Sequence, residues 1–332
     1  MPTRTSRVRE GQPLFDIVSY GRVSGGAGGR LTPAQVEQIR RTVQRAPEAV
    51  VKVLPRASND FKAVGKHLNY IGRDGELELE TDDGDRVRST IEKTLLADWD
   101  LDIDDVRRQS ALGATKGGKP PKLVHKLMFS MPPGTPPEKV LGAVRNFARE
   151  EFWGQHRYAF ALHTDEAHPH VHLVLKAVSE HGVRLNIKKA TLRYWRSEFA
   201  RNLRLLNVEA NATERAVRGK SSKAKRDGIY RAGLRGDSTY TRAQNEAVAK
   251  ELVKGSASFE NGKGKLARTR SAVEGGWHFV AGLLARDGYP DLARDVQRFL
   301  ERMPPARTDR ELVAHEVRQR IRDPRVRDDR TR

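Results

Sequence analysis

The sequence predicts an α+β fold with a helical, basic C-terminal region, and three observations carry that prediction. Two short runs, YAFALH (158–163) and HVHLVLKAV (170–178), alternate side chains across a TDEAHP loop in the manner of a β-hairpin. Strand-like runs at 49–54 (AVVKVL) and 122–131 (KLVHKLMFSM) are interleaved with segments whose apolar residues recur at helical spacing. Past Gly219 the chain turns basic, then polar and mostly helical.

Taken in order, residues 1–47 read as an N-terminal extension, partly flexible at Gly25, Gly26, Gly28 and Gly29. Within it, Thr32-Pro33 supplies a cap and first helical residue for LTPAQVEQIRRTV. The strand at 49–54 follows. A helix from about Asp60 to Ile71 places Phe61, Val64, Leu68 and Ile71 on one face, and Arg73-Asp74-Gly75 ends it. An acidic insertion occupies about 76–105. Beyond the strand at 122–131, which PPGTPP closes, Val140, Leu141, Val144 and Phe147 mark one face of a helix. After the hairpin, a helix from roughly Lys189 carries Leu192, Trp195, Phe199 and Leu203 on one side, with its arginines largely elsewhere. Residues 220–332 form the basic, mostly helical C-terminal region.

Composition bounds the chemistry. A chain of 332 residues suits one large domain with appendages, or two domains. No apolar run approaches the roughly 20 residues that a spanning helix needs, and the first residues lack the apolar core of a signal peptide, so neither membrane spanning nor signal-directed secretion is expected. Zero cysteines exclude disulfides, thiolate metal sites and a cysteine nucleophile, so any metal must be held by histidine and carboxylate. The net charge of +19 is unevenly spread: between Arg184 and Gly236, 15 Lys and Arg face four Asp and Glu. Such a surface suits a polyanion, because each neutralised phosphate releases condensed counterions. Nucleic acid is the leading partner, with an acidic surface or an anionic membrane as alternatives.

Six of the ten histidines lie between 156 and 181, four of them in His163-Thr-Asp165-Glu-Ala-His168-Pro-His170-Val-His172. Alternation along a strand puts His170 and His172 on one face and Val171, Leu173 and Leu175 on the other. If the two runs pair antiparallel, His163 lands beside them. Three neutral imidazoles would then hold a metal with positions left open for water or substrate, and Asp165 is near enough to orient one ring. His168, before Pro169, is open between ligand, DNA contact and neither; His125, mid-strand, faces either the site or the core.

At these residues the sequence resembles the HUH relaxases of plasmid mobilization, in particular the MOBP type that includes the T-DNA border endonuclease. His170-Val171-His172 is similar to that family's histidine pair, and HLNYIGRDGELEL (67–79) resembles its first motif, a helix ending in a nucleophilic tyrosine before a basic turn. KLVHKLMFSMPPGT (122–135) and the segment 194–219 resemble its central strand and its closing helix. Four elements thus stand in the family's order over about 48–219, which the resemblance makes the catalytic domain.

The resemblance implies an antiparallel sheet flanked by helices and a divalent metal, Mg²⁺ or Mn²⁺, on His163, His170 and His172. It implies Tyr70 as the nucleophile, assisted by Asp165, cutting one strand of single-stranded DNA at a transfer origin and keeping the 5′ phosphate as phosphotyrosine. A phenol, with a pKa of about 10, attacks at neutral pH only with help from a base or a metal. Expected partners are accessory relaxosome proteins and a type IV secretion coupling protein, in the bacterial cytoplasm, with export alongside the bound strand possible. Arg73 and Arg193, Arg196, Arg201, Arg204, Arg215 and Arg218 are candidate phosphate contacts. Two rival readings are a histidine-triad nucleotide hydrolase, which would need neither metal nor tyrosine, and a non-catalytic basic DNA-binding protein.

Overall fold

A computed structural model describes residues 30–54, 60–88, 91–101, 121–221, 227–254 and 262–322. The glycine-rich stretch at 25–29, the remainder of the acidic insertion beyond residue 101 and the charged tail after residue 322 lie outside the described residues. The described residues divide into two compact units, one running from Gln44 to Ala212, the other joining residues 30–43 with those from Thr213 onward.

The first unit is built on a six-stranded sheet with the order β1-β4-β6-β5-β2-β3, antiparallel throughout. The strands are β1 (Val50–Val53), β2 (Leu79–Thr81), β3 (Arg86–Val87), β4 (Val124–Ser130), β5 (Tyr158–His163) and β6 (His170–Lys176). The α+β architecture expected from the sequence, an antiparallel sheet flanked by helices, is the one observed. Because strand side chains alternate, each central strand serves two layers. Leu127 and Phe129 of β4, with Val171, Leu173 and Leu175 of β6, pack against helices at Pro137–Phe152 and Lys189–Leu205. Phe129 lies 5.0 Å from Phe147 and 5.2 Å from Phe199, ring centre to ring centre, within the range of favourable aromatic pairs. On the other face Val124, Val174, Ala159 and Ala161 meet helices at Phe61–Ile71 and Ile91–Asp98.

The acidic insertion is part of this second layer. Leu79, Ile91, Leu95 and Trp99 are buried in its core, and β2 extends the sheet by pairing with β5. Its carboxylates are drawn in by arginines far along the chain: Arg157 meets Asp82 (3.2 Å), Asp83 (2.7 Å) and Asp98, and Arg145 grips Glu80 through two nitrogens. Four carboxylates of this segment are thereby paired, Asp82 and Glu80 largely buried and Asp83 and Asp98 about half exposed.

The second unit is helical. Numbered along the chain, the α-helices among the described residues are α1 (Pro33–Val43), α2 (Phe61–Ile71), α3 (Ile91–Asp98), α4 (Pro137–Phe152), α5 (Lys189–Leu205), α6 (Asp227–Leu234), α7 (Thr239–Lys254), α8 (Lys263–Arg286), α9 (Pro290–Glu301) and α10 (Asp309–Arg322). Val36 and Ile39 of α1 share a core with Val273, Trp277, Val280 and Leu284 of α8 and Val296 and Phe299 of α9. The Trp277 indole N–H donates to the Val217 carbonyl at 2.9 Å. The sequence groups α1 with an N-terminal extension and begins the C-terminal region at residue 220; the apolar face of α1 instead places it in the same unit as the chain from Thr213. No helix among the described residues is long and apolar enough to cross a membrane.

Candidate active site

The site grows out of the register of the two longest hairpin partners. Pairing of β5 with β6 sets His163 opposite His170 and Ala161 opposite His172, so His163, His170 and His172 share the face covered by α2. Their rings lie 4.8 to 5.3 Å apart between centres. One nitrogen from each comes within 4.8 Å of the others, a spacing at which they could hold a metal ion.

Hydrogen bonds select the tautomers. His163 Nε2 donates to the Ile71 carbonyl at 2.8 Å, leaving its Nδ1 as the nitrogen with the lone pair, which Arg73 Nη2 approaches at 3.5 Å. His170 Nδ1 donates to the His168 carbonyl at 3.0 Å, leaving Nε2. Backbone acceptors of this kind are the usual means of orienting metal-ligating rings. Burial pushes the His172 imidazole down to about 3, with the neighbouring rings and Arg73 adding to the effect, and burial likewise lowers His163. Neutral rings are what a metal requires of its ligands. The Nδ1 of His172 is buried without a partner among the described residues, as suits a nitrogen whose partner is an ion. The three side chains therefore fit a divalent metal.

Helix α2 brings the phenol. Asp60 caps its N-terminus by accepting from the Ala63 N–H at 3.1 Å. At its other end Gly72 closes the helix at a spot where a Cβ would fall 2.4 Å from Ile91 Cδ1 and 2.9 Å from Leu79 Cδ1, so any larger residue would have to push those side-chain ends aside. The next three residues, Arg73, Asp74 and Gly75, all adopt positive φ (50°, 52° and 97°). Two successive non-glycine residues in that region are strained, and such strain concentrates at functional sites. Tyr70 sits at the end of α2, 54 % exposed, with its ring centre 6.3 Å from that of His172 and 6.4 Å from that of His163. The strained turn swings Arg73 back so that its guanidinium lies 5.8 Å from the Tyr70 ring centre and pairs with Asp165. Burial opposes ionisation of Asp165, but the hydrogen bond and charge of Arg73 outweigh it and hold the carboxyl below its ordinary range. A pocket of about 280 Å³ opens here, lined by Arg73, Glu76, Leu77, His163, Thr164 and Asp165.

The remaining candidates separate. His168 is exposed in the loop and enters the cluster only through its carbonyl. His125 points to the packing face of the sheet, where its Nε2 donates to the Leu185 carbonyl at 3.1 Å, and takes no part in the site. The arginines of α5 belong to the helix layer on the opposite side of the sheet from the three rings. Of these, Arg201 pairs with Glu150 and Glu198, Arg204 donates to the Ala210 carbonyl at 2.8 Å, Arg193 is exposed and Arg196 half-buried. Arg215 and Arg218 lie in the second unit.

Two residues were overlooked in the sequence. His67 stacks on Tyr70 (6.0 Å between centres, 16° between planes) and meets His172 edge-on at 6.2 Å; its spacing of three from Tyr70 on one helix face was the available signal. Lys126, 3 % exposed, stands on the ring-bearing face of β4. Its signal was a lone charge at an inward strand position. Burial pushes His67 down to about 4, and the charge of Lys126 is the next contribution.

Residues 78–204 match a family model described as relaxase, MobA/VirD2-like, nuclease domain. That span carries the three rings and Asp165; Tyr70 lies just ahead of it. No curated protein and no solved structure matches the chain. The antiparallel sheet with its helices and the three converging rings lie in and around this span, and on these grounds residues 78–204 are similar to the nuclease domain of MobA/VirD2-like relaxases.

Proposed function

We propose that the chain is a relaxase with Tyr70 as its nucleophile. Its hydroxyl attacks the scissile phosphorus, the bond to the 3′ oxygen breaks, and the 5′ phosphate stays on the enzyme as phosphotyrosine while the 3′ oxygen takes up a proton. The bond energy is conserved, so attack by a 3′ hydroxyl on the adduct rejoins DNA. The observation that carries this reading is a half-exposed phenol whose ring lies 6.3 and 6.4 Å from two of the three clustered imidazoles. A strand laid over that exposed edge meets the phenol and the rings together.

His163, His170 and His172 would hold a divalent metal, Mg²⁺ or Mn²⁺. When bound it would act as a Lewis acid on a phosphoryl oxygen. The chain's own groups do the remainder. The Ile71 and His168 carbonyls keep two rings turned with a lone pair inward. His67 buttresses the phenol by stacking. Arg73, on a turn that cannot relax without losing its strained geometry, sits over the phenol and beside the 280 Å³ pocket, where it can meet a backbone phosphate. Asp165 holds Arg73 in that place. The setting is mobilization of a DNA element from its transfer origin, with accessory relaxosome proteins and a type IV coupling protein as partners.

The test is a denaturation-resistant linkage. Incubated with Mg²⁺ or Mn²⁺ and labelled single-stranded oligonucleotides tiled over the DNA next to its own gene, the wild-type chain is expected to form a covalent adduct, and Tyr70→Phe to form none. Excess chelator should stop the reaction. An adduct that persists in Tyr70→Phe assigns the chemistry to another residue.

A further inference from the structure

Lys126 is a charged residue placed where a sheet ordinarily keeps an apolar side chain. Its strand neighbours across the β4–β6 pair are Val174 directly opposite and His172 on the diagonal, since Met128 is the direct partner of His172. Diagonal neighbours lie about 7–8 Å apart, within reach of a long side chain. The residue is 3 % exposed, and it lies near enough to His67 that its charge is felt by that ring. Burial pushes its ammonium down to about 8. No carboxylate pairs with it among the described residues. The nearest acid of the site, Asp165, is engaged by Arg73, and the rings beside Lys126 are uncharged imidazoles kept neutral by burial.

An unpaired buried cation costs stability, and apolar replacements of buried charges commonly stabilise a fold. A lysine kept at such a position needs an anion that arrives later. On the proposed function, which this inference rests on, the anion that enters this face is the phosphate backbone of the DNA strand. We infer that Lys126 supplies a positive charge to the reacting phosphate from the floor of the site, opposite the side from which Arg73 reaches in. The two cations differ in kind. Arg73 is preassembled on a carboxylate and must share it, whereas Lys126 has no carboxylate partner among the described residues and meets an anion only when DNA is bound. Charge growing on the phosphate as the phenol attacks is then met inside a dry site, where such an interaction counts for more than in water.

The inference predicts opposite signs for activity and stability. In full-length Lys126→Met, which keeps an unbranched side chain one atom shorter and removes the charge, the single-turnover rate of adduct formation with the origin oligonucleotide should fall about 100-fold, the scale of losing one preorganised charge donor. The melting temperature should stay the same or rise, and affinity for the oligonucleotide should change by no more than a few-fold. Lys126→Arg should recover part of the rate. A rate in Lys126→Met within threefold of the wild type overturns the inference, as does a loss of rate accompanied by a lower melting temperature in both variants, which would make the residue a structural one. If the wild-type chain itself forms no adduct, it is the function of the whole site that fails, and the two failures are thus told apart.

Discussion

The two faces of the sheet are made from the same strands and do opposite things. On β6, Val171, Leu173 and Leu175 enter a core of Phe129, Phe147, Trp195 and Phe199 beneath α4 and α5; their neighbours His170 and His172 face α2 with His163 and Lys126. One face buries large aromatics, with His125 satisfied by the Leu185 carbonyl among its few polar groups, and the other gathers imidazoles, a lysine and a phenol. The difference teaches that a rigid packed layer is what lets the second layer carry groups that bring no stability of their own. Five rings and an ammonium can be held a few ångströms apart only because the strands beneath them are fixed from behind.

Substitutions on the two faces should therefore separate stability from chemistry, and the largest separation is between His172→Ala and Phe147→Ala. Removing His172 takes away one of the three rings proposed to hold the metal, a group whose neutral, unpartnered nitrogen contributes little to folding. Adduct formation is expected to become undetectable and Mn²⁺ binding by calorimetry to be lost, with the melting temperature nearly unchanged. Removing Phe147, which touches Phe129, Phe152 and Trp195, should cost about 3–5 kcal/mol, equivalent to a fall of roughly 10 °C for a unit of this size. Below its lowered melting temperature that variant should nick at the wild-type rate. If Phe147→Ala nicks poorly while folded, the packing layer is not the passive support described here.

A smaller effect is expected at the pair that links the turn to the hairpin. Arg73 lies over Tyr70 and pairs with Asp165, so Asp165→Asn loosens a positioning contact without removing the cation proposed to meet the phosphate, whereas Arg73→Ala removes both. Single-turnover rates should fall by about tenfold in Asp165→Asn and further in Arg73→Ala, the latter with weaker DNA binding and a shallower dependence of affinity on salt. Equal losses in the two variants would mean that Asp165 acts on the reaction directly and not through Arg73.

How far this layout could be read beforehand depended on whether the signal was local. Alternation alone placed His163, His170 and His172 on one face, because a six-residue loop between two alternating runs leaves few registers. The end of α2 was legible from its apolar spacing and the Arg-Asp-Gly stop. The acidic segment was not, since its charges read as a solvated insertion until Arg145 and Arg157, more than sixty residues onward, are seen to take them up. The side of the sheet on which the α5 arginines fall is set by the packing of Trp195, Phe199 and Leu203, and charge counting along the chain carries no such information. Helix α1 joined the second unit through Val36 and Ile39, whose partners lie more than two hundred residues away.

The finest test uses one residue type on both faces. His125 is a histidine of the packing layer: burial pushes it down to about 4, and nearby Lys122, His156 and Arg184 reinforce the shift against a hydrogen bond to the Leu185 carbonyl. Above its unfolded value near 6.5 this ring is neutral in both folded and unfolded chains and exerts no pH dependence. As pH falls from 6.5 toward 4 the unfolded chain takes up a proton that the folded one refuses, so stability is lost across that window. His125→Gln retains a donor for the Leu185 carbonyl and cannot titrate. Denaturant midpoints measured at pH 7 and at pH 5 should therefore lie closer together in the variant than in the wild type, with the remaining difference due to the other buried groups, His156 and the rings of the other face among them, while its nicking rate at pH 7 stays at the wild-type level. An unchanged gap between the two midpoints would show that this ring is already protonated in the folded unit, and a slower nicking rate would show that the packing layer reaches into the chemistry after all.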